Sequence, residues 1–370
     1  MALWRAMKKG RLVSDELNEN ISSGIEEIVQ AKGRGSGNVT INDIARVANV
    51  SKKTVSRVIN QSPFVKPKTR DHVQAIIKEL GFVPDPQARA LALRKSFLIG
   101  LVYDNPSPQY VVSMQRGILD AFEGTDFQLV LRPCDRSEPE YLARMETFIK
   151  QHKPFGLILP PSVSEDEAIA KVMRDQNVDY VRIASVELDD PAHSIRTADF
   201  EGGAQAARHL TALGHRHIAH IHGPLSFRST HERRSGFEHG LAEAGLKLNP
   251  NMAVEGGYTF DSGVVAGAEL LSRATRPTAI FAGNDEMATG SYVALRKAGL
   301  SLPEDMSVVG FDDTPIAGRL WPALTTVRLP IREMGKAAAQ LLIDVSHGKK
   351  ITEVAIFVPE LIVRDSTQQI

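Results

Sequence analysis

Residues 39–60 read VTINDIARVANVSKKTVSRVIN, and this pattern constrains the chain more tightly than any other stretch. Thr40 is a good N-cap with Asp43 three residues on. Ile41, Ile44, Ala45, Val47 and Ala48 form an apolar stripe at helical spacing. Asn49 stands where a left-handed turn residue is wanted. Ser51 caps a second short helix whose Val55, Val58 and Ile59 face inward, leaving Lys52, Lys53, Ser56 and Arg57 outside. Two short amphipathic helices about a tight turn, with cations and hydroxyls on the outer face of the second, outline a helix-turn-helix. Such cations can donate to guanine O6 and N7, and hydroxyls can bond phosphates or bases. Lys52, Lys53 and Arg57 are the expected base readers; Thr40, Ser51, Thr54, Ser56 and Asn60 are expected mainly on phosphate. A third helix follows from Lys66, with Val73, Ile76, Ile77 and Leu80 on one face and Gly81 as its C′ residue.

Charge agrees with this reading. Val39 to Lys95 carries eleven cations and four anions, a surplus of seven positive charges on a chain whose net charge is zero. A basic module on an acidic body is the asymmetry of a nucleic-acid binder. The alternative is a solvated three-helix cap with no ligand.

The chain has 370 residues, which suits two or three domains, and no apolar run approaches the ~18 residues of a membrane span. The start, MALWRAMKKGR, lacks the apolar core of a signal peptide, so the cytoplasm is expected. A single cysteine, Cys134, excludes an intrachain disulfide and is read as a small structural residue. Residues 1–38 read as a flexible tail, with room for one short helix around 21–29. In residues 84–93, Asp85 can cap and Pro86 suits the first helical position. This helix is only about two turns long and marginal alone in water, so it needs a partner.

From Phe97 onward, short apolar strands alternate with helical patterns. Strands are expected at 98–102, 127–131, 156–159 and 180–183, with helices at 112–122, 141–152 and 165–177. After Asp199 the alternation restarts, with helices at 203–213, 232–244, 263–271 and 288–298. The strands between them are expected at 217–221, 253–256, 279–282 and 307–309. Fully apolar strands between helices imply parallel sheets covered on both faces, here in two doubly wound series. In such sheets ligands bind beyond the carboxyl ends of the strands. The loops there begin at Tyr103-Asp104-Asn105-Pro106, Gly223, Gly283-Asn284-Asp285-Glu286 and Phe311-Asp312-Asp313-Thr314. Their carboxylates, amides and arginines beside aromatic rings suit a polyhydroxylated sugar.

The signature Val39-Thr-Ile-x-Asp-Ile-Ala to Val50-Ser51-x-x-Thr54-Val55-Ser56-Arg57-Val58-Ile59-Asn60 resembles that of the LacI/GalR family of bacterial transcription regulators. The resemblance runs to about Asp365 and leaves out residues 1–38. It implies an α/β fold class: an N-terminal all-α helix-turn-helix domain plus a two-lobed, periplasmic-binding-protein-like core of doubly wound parallel sheets. The expected domains are a helix-turn-helix at 39–83, a hinge helix at 84–96, a first lobe at 97–195 and 328–358, and a second lobe at 196–327 and 359–370. In the family the hinge helix pairs with its dimer mate in the minor groove; Leu91 matches the wedging side chain, and Gln87 and Ala88 match flanking contacts. The resemblance places Arg233, Asn284 and Asp312 at effector-contacting positions. Tyr258 matches an aromatic one, Asp104 and Ser229 match polar ones, and Tyr110 lies on a segment leading in. Trp321 is a further aromatic candidate. Leu329, Ala184 and Pro160 depart from the lactose-type regulator, so a different effector is expected. Asp285 and Asp313 read as capping or salt-bridging residues.

His215, His217, His220 and His222 cannot all converge from a strand, and no metal or cofactor is expected. No nucleotide loop or nucleophile motif supports an enzyme. The expected partners are a pseudopalindromic double-stranded operator, a sugar or sugar phosphate, and a second copy of the chain. No sustained apolar heptads follow Arg364-Asp365, so a dimer is expected over a tetramer. The competing readings are a soluble sugar-binding protein without DNA function, a purine-type effector, and a doubly wound enzyme.

Overall fold

The computed structural model describes residues 25, 28, 39–60, 62–83 and 96–370. The chain divides into two compact units, Met1–Lys95 and Ser96–Ile370. In the first, α1 (Ile41–Val47) starts on a reciprocal capping box between Thr40 and Asp43. Asn49 turns the chain with φ +50°. The Ser51 hydroxyl accepts from the Thr54 N–H at 3.1 Å and starts α2 (Lys52–Ile59). α3 (Pro67–Glu79) has proline in its first turn and ends before Gly81 at φ +60°. Ile44, Val55 and Val73 meet in a fully buried core. Ile25 and Ile28 are helical, within the short helix allowed for at 21–29, but both are buried in that same core, so at these two positions the chain is packed rather than a free tail.

The second unit holds two six-stranded sheets. The first lobe runs β1 (Leu98–Tyr103), α4 (Pro108–Phe122), β2 (Gln128–Pro133), α5 (Tyr141–His152), β3 (Gly156–Leu159), α6 (Glu167–Asp175), β4 (Asp179–Ala184) and β5 (Ser194–Thr197). The chain crosses over into α7 (Asp199–Ala212), β6 (Ile218–His222), α8 (Arg228–Glu243), β7 (Ala253–Glu255), α9 (Phe260–Leu271), β8 (Ala279–Ala282), α10 (Asp285–Lys297), β9 (Ser307–Asp312) and β10 (Thr325–Arg328). It returns for α11 (Ile331–Ser346) and β11 (Ala355–Phe357), then crosses a third time to β12 (Glu360–Ile362). The orders are β11-β5-β4-β3-β1-β2 and β12-β10-β9-β8-β6-β7, all parallel except the β10–β12 pair. The crossovers lie side by side, where the Ala198 N–H donates to the Phe357 carbonyl at 2.9 Å.

Several elements start earlier than the apolar pattern indicates, because caps rather than periodicity set their ends. Ser107 caps α4 ahead of Pro108, and Asn284 caps α10 through the Met287 N–H at 2.9 Å. β9 extends to Asp312, and Arg328 closes β10 in the second lobe, so the return to the first lobe begins at α11.

Three helix pairs cross on reciprocal glycines. A Cβ on Gly117 would collide with the Arg332 carbonyl across the α4–α11 crossing, and one on Gly335 would press on Met114. Gly203 and Gly236 stand likewise against Arg233 and Phe200 where α7 meets α8, and Gly263 and Gly290 against Met287 and Phe260 where α9 meets α10. The obstructing atoms are mainly backbone, which cannot rotate away. Gly203→Ala is therefore expected to cost about 1–3 kcal/mol in urea unfolding of the full chain, the range of core overpacking. Gly318→Ala has open space around it and should stay within about 0.5 kcal/mol of wild type. Equal stability of the two variants would show that α7 and α8 have room to part.

Candidate functional site

On α2, Lys52, Lys53 and Arg57 are exposed, and among the described residues none of them is in an ion pair. Val55 and Val58 on the opposite face fix that orientation by burial. The hydroxyls around them are partly committed. Thr40 donates to Asp43 Oδ2 at 2.7 Å, Ser51 and Thr54 share a hydrogen bond of 2.9 Å, and Ser56 accepts from Asn60 Nδ2 at 3.4 Å. Gln87, Ala88 and Leu91 lie outside the described residues.

The second site lies between the two lobes, beyond the carboxyl ends of both sheets. Asn105, Ser107, Tyr110 and Pro161 line it from the first lobe. Thr197, Asp199, Phe227, Ser229, Arg233, Tyr258, Asn284, Asp312 and Leu329 complete it. The free cavity is small, about 30 Å³, so a larger ligand must enter with the lobes apart.

Arg233 is the centre of this site. Its Nε donates to Asp199 Oδ1 at 2.8 Å and its Nη1 to the Gly283 carbonyl at 2.6 Å, and its guanidinium lies 3.7 Å from the centre of the Phe311 ring. Burial works against its charge, but the carboxylates of Asp199 and Asp312 together with Tyr258 hold its pKa above the ordinary value. Asp312 sits 3.7 Å from Nη2, on a backbone at φ +105°, and its buried Oδ1 has no hydrogen-bond partner in the protein. Such a backbone is costly for a non-glycine residue and persists only where its surroundings enforce it. Burial pushes the Asp312 carboxyl up to about 8 against the pull of Arg233, with Asp285 and Asp199 adding to the rise. From the first lobe, the Tyr110 hydroxyl is buried without a protein partner and its pKa is raised, by burial first and then by Asp312 and Asp199.

Tyr258 supplies the aromatic wall. Its hydroxyl pairs with Thr230 Oγ1 at 2.7 Å and its ring meets Phe227 edge-on at 5.4 Å. Asn284 caps α10 and donates from Nδ2 to the Tyr258 carbonyl at 3.0 Å, leaving one amide hydrogen for a ligand. Ser229 is buried in the first turn of α8.

Two expected members are elsewhere. Asp104 does not line the cavity: it pairs with Arg136 Nε at 2.6 Å and accepts from Ser162, bracing the loop after β3. Its charge is neutralised within its own lobe, which explains the departure. Trp321 is 94% exposed and lines a separate surface groove with Tyr292, Arg296 and Arg319, because the segment after Thr314 turns back on itself through the Leu324–Ala317 hydrogen bond and carries it outward. At the loop after β3, Pro161 rather than Pro160 lines the cavity. Asp199, Thr197 and Phe227 are members that the pattern did not single out. An acid at a lobe crossover, in Thr197-Ala-Asp199, is the signal that could have found Asp199. Asp285 accepts three hydrogen bonds from Thr314 and Thr326, and Asp313 pairs with Arg328 and Arg364, so both are structural.

The histidines are structural too. His215 bridges Thr278 and Ser307, and His220 stacks on Phe281 at 4.8 Å and donates to its carbonyl at 2.9 Å. Burial lowers the pKa of His220 to about 3. Among the described residues, the one grouping with metal-binding spacing is Asp189, Asp190 and His193, where Asp189 already accepts from Tyr180 at 2.7 Å.

A three-helix head with an exposed cationic second helix, continuous in sequence with a two-lobed binding core, defines the class of ligand-responsive DNA-binding regulators. Residues 40–85 match the model of bacterial regulatory proteins of the lacI family, and residues 207–367 that of a periplasmic binding protein-like domain. Catabolite control protein A of Priestia megaterium is 33% identical over 334 residues, covering 90% of this chain and 100% of that protein. A structure of the lac repressor dimer bound to operator and the anti-inducer ONPF has a TM-score of 0.74 at 30% identity, covering 90% of this chain and all of that one. The complex of the transcriptional regulator CelR with cellobiose has a TM-score of 0.68 at 30% identity, covering 89% and 100%. The chain belongs to the LacI family of bacterial transcriptional regulators. These relatives are DNA-binding regulators, not enzymes, and among the described residues no helix is long and apolar enough to cross a membrane.

The raised pKa of Asp312 has a testable sign. Its folded pKa, about 8, lies above the ordinary aspartate value of 3.8, so the folded state binds the extra proton between these values. The stability it contributes is present below about pH 4 and lost as pH rises towards 8. Asp312→Asn cannot ionise, so its melting temperature should gain on wild type steadily from pH 5 to about pH 8. A difference that stays flat over this range would mean that Arg233 holds Asp312 as a carboxylate.

Proposed function

We propose that this protein is a cytoplasmic, homodimeric repressor of carbohydrate uptake or catabolic genes that binds a pseudopalindromic operator and answers to a neutral sugar. The observation that carries it is the buried Asp199–Arg233–Asp312 cluster between two lobes, in a chain whose head presents Lys52, Lys53 and Arg57. In the relatives this architecture serves operator and sugar recognition, as the lac repressor and CelR–cellobiose complexes state. Charge argues for a neutral ligand: the charged residues of the cavity wall are one cation and two carboxylates, and the cation is already paired. A sugar hydroxyl can donate to Asp312 Oδ1 while accepting from Arg233 Nη2 or Tyr110, and the C–H face of the ring can lie on Tyr258. A phosphate or uronate would find no unpaired cation, because the charge of Arg233 is already met by Asp199. The domain limits follow the same reading, with the return to the first lobe moved to α11.

The test is a binding selection on random genomic DNA fragments, then fluorescence-polarisation titration of a selected palindrome against neutral pentoses, hexoses and disaccharides, their phosphates and uronates, and purines. A neutral sugar that alone changes operator affinity is the expected result; a response confined to phosphates or purines overturns the ligand class. Lys53→Ala should relax specificity at one operator position by ~1–3 kcal/mol, whereas an equal loss on all sequences would make it a phosphate contact. Tyr110→Phe removes a hydroxyl without a protein partner, so stability should hold or rise while sugar affinity falls about ten-fold. Unchanged affinity would take Tyr110 out of the site.

A further inference from the structure

α8 carries Ser229 and Arg233 of the cleft, yet it begins on Phe227, which gives no side-chain cap, and has no acid in its first turn. The first N–H groups of a helix require partners. The partner of the Arg228 N–H comes from the other lobe: Glu165 Oε2 accepts it at 2.9 Å across 63 residues of sequence. A carboxylate at this position also meets the positive end of the helix dipole.

Glu165 is held for this contact. It ends a 3-10 turn, Val163–Glu165, that follows β3 in the first lobe. Ser162 before it has φ +76° and its hydroxyl is bonded to Asp104, which is itself pinned by Arg136. Ser164 Oγ donates to the Ile183 carbonyl at 2.7 Å, and Arg182 Nε donates to the Ser164 carbonyl at 2.7 Å. The braced loop therefore belongs to one lobe and the helix it caps to the other. Glu165 does not line the cavity.

We propose that Glu165 is a positioning residue, a clasp between the lobes that caps α8 from outside and so sets the balance between the open and closed cleft. Opening separates Glu165 from α8 and exposes an uncapped helix start to water; closing restores the cap. The clasp thereby tunes effector affinity without touching the effector. This inference rests on the reading of the cleft as the ligand-responsive site, but its primary test needs no ligand.

Spin labels at Pro139 and Leu225, exposed positions after β2 and β6 on the two rims, report lobe separation by pulsed dipolar spectroscopy. They are placed in a Cys134→Ser background of the full chain, diluted with unlabelled protein. Glu165→Ala should lower the closed fraction about five-fold, the effect of losing one N-cap. Glu165→Gln keeps an acceptor oxygen and should stay closer to wild type. Arg228→Pro deletes the donor while suiting the first helical position, since Phe227 before it is already extended at φ −101° and ψ 124°. It should reproduce Glu165→Ala, and the double variant should add nothing further. Arg228→Ala, which keeps the N–H, should behave as wild type. Unchanged distances in Glu165→Ala and Arg228→Pro, or fully additive effects of the two, would overturn the clasp. Ribose and cellobiose are then titrated by calorimetry. If neither they nor the wider panel binds wild type, the sugar reading fails while the distances still decide the clasp.

Discussion

One buried ion pair organises the core. Arg233 and Asp199 are both almost wholly shielded from water, and a guanidinium so placed is tolerable only with its donors used and its charge met. Asp199, the Gly283 carbonyl and the Phe311 ring meet these demands. Asp199 opens α7 and Arg233 lies on α8, so the pair requires these helices to approach closely. Gly203 stands against the backbone of Arg233 itself, and Gly236 stands against Phe200, the residue after Asp199. The glycine crossing and the ion pair are therefore one constraint: the first brings the backbones near enough for the second, and the second draws the charge into the cleft.

This arrangement leaves Asp312 incompletely served. Arg233 commits its short hydrogen bonds to Asp199 and Gly283 and reaches Asp312 only at 3.7 Å. A left-handed backbone at the end of β9 turns the Asp312 carboxyl into the cavity, where burial disfavours its charge. A carboxyl in that position gains most from a neutral donor and least from an anion. The ligand preference thus follows from how Arg233 is already engaged rather than from a count of polar residues.

The head was legible in the sequence because its determinants are local. Thr40 and Asp43, Ser51 and Thr54, Asn49 and Gly81 act within a few residues of one another, and the structure places each as its chemistry requires. The alternating strands and helices of the core were legible for the same reason. The cleft was legible only in part. Arg233, Tyr258, Asn284, Asp312, Ser229 and Tyr110 converge, but Asp104 and Trp321 do not, because residue type gives polarity and bulk without direction. The start of α8 was misplaced by four residues since Phe227 carries no capping signal; its cap is Glu165, far off in sequence and on the other lobe. A helix boundary set by a tertiary contact cannot be read from its own neighbourhood.

Between the lobes, buried polar groups without partners oppose the clasp, and Glu165 Oε1 on the clasp itself is one of them. The Tyr110 hydroxyl and Asp312 Oδ1 are buried with no protein partner, and each such group costs ~1–3 kcal/mol. The Glu165 cap contributes about 1 kcal/mol in the other direction. A ligand whose hydroxyls serve both Tyr110 and Asp312 removes their desolvation cost and favours closure. That is the differential affinity a regulator requires, because a ligand shifts an equilibrium only by how differently it binds the two states. Tyr110 comes from one lobe and Asp312 from the other, so the gain on binding is available only when the lobes are together. The lobes are joined by three short crossovers at 197–199, 328–331 and 357–360, and Thr197, Asp199 and Leu329 line the cavity beside them.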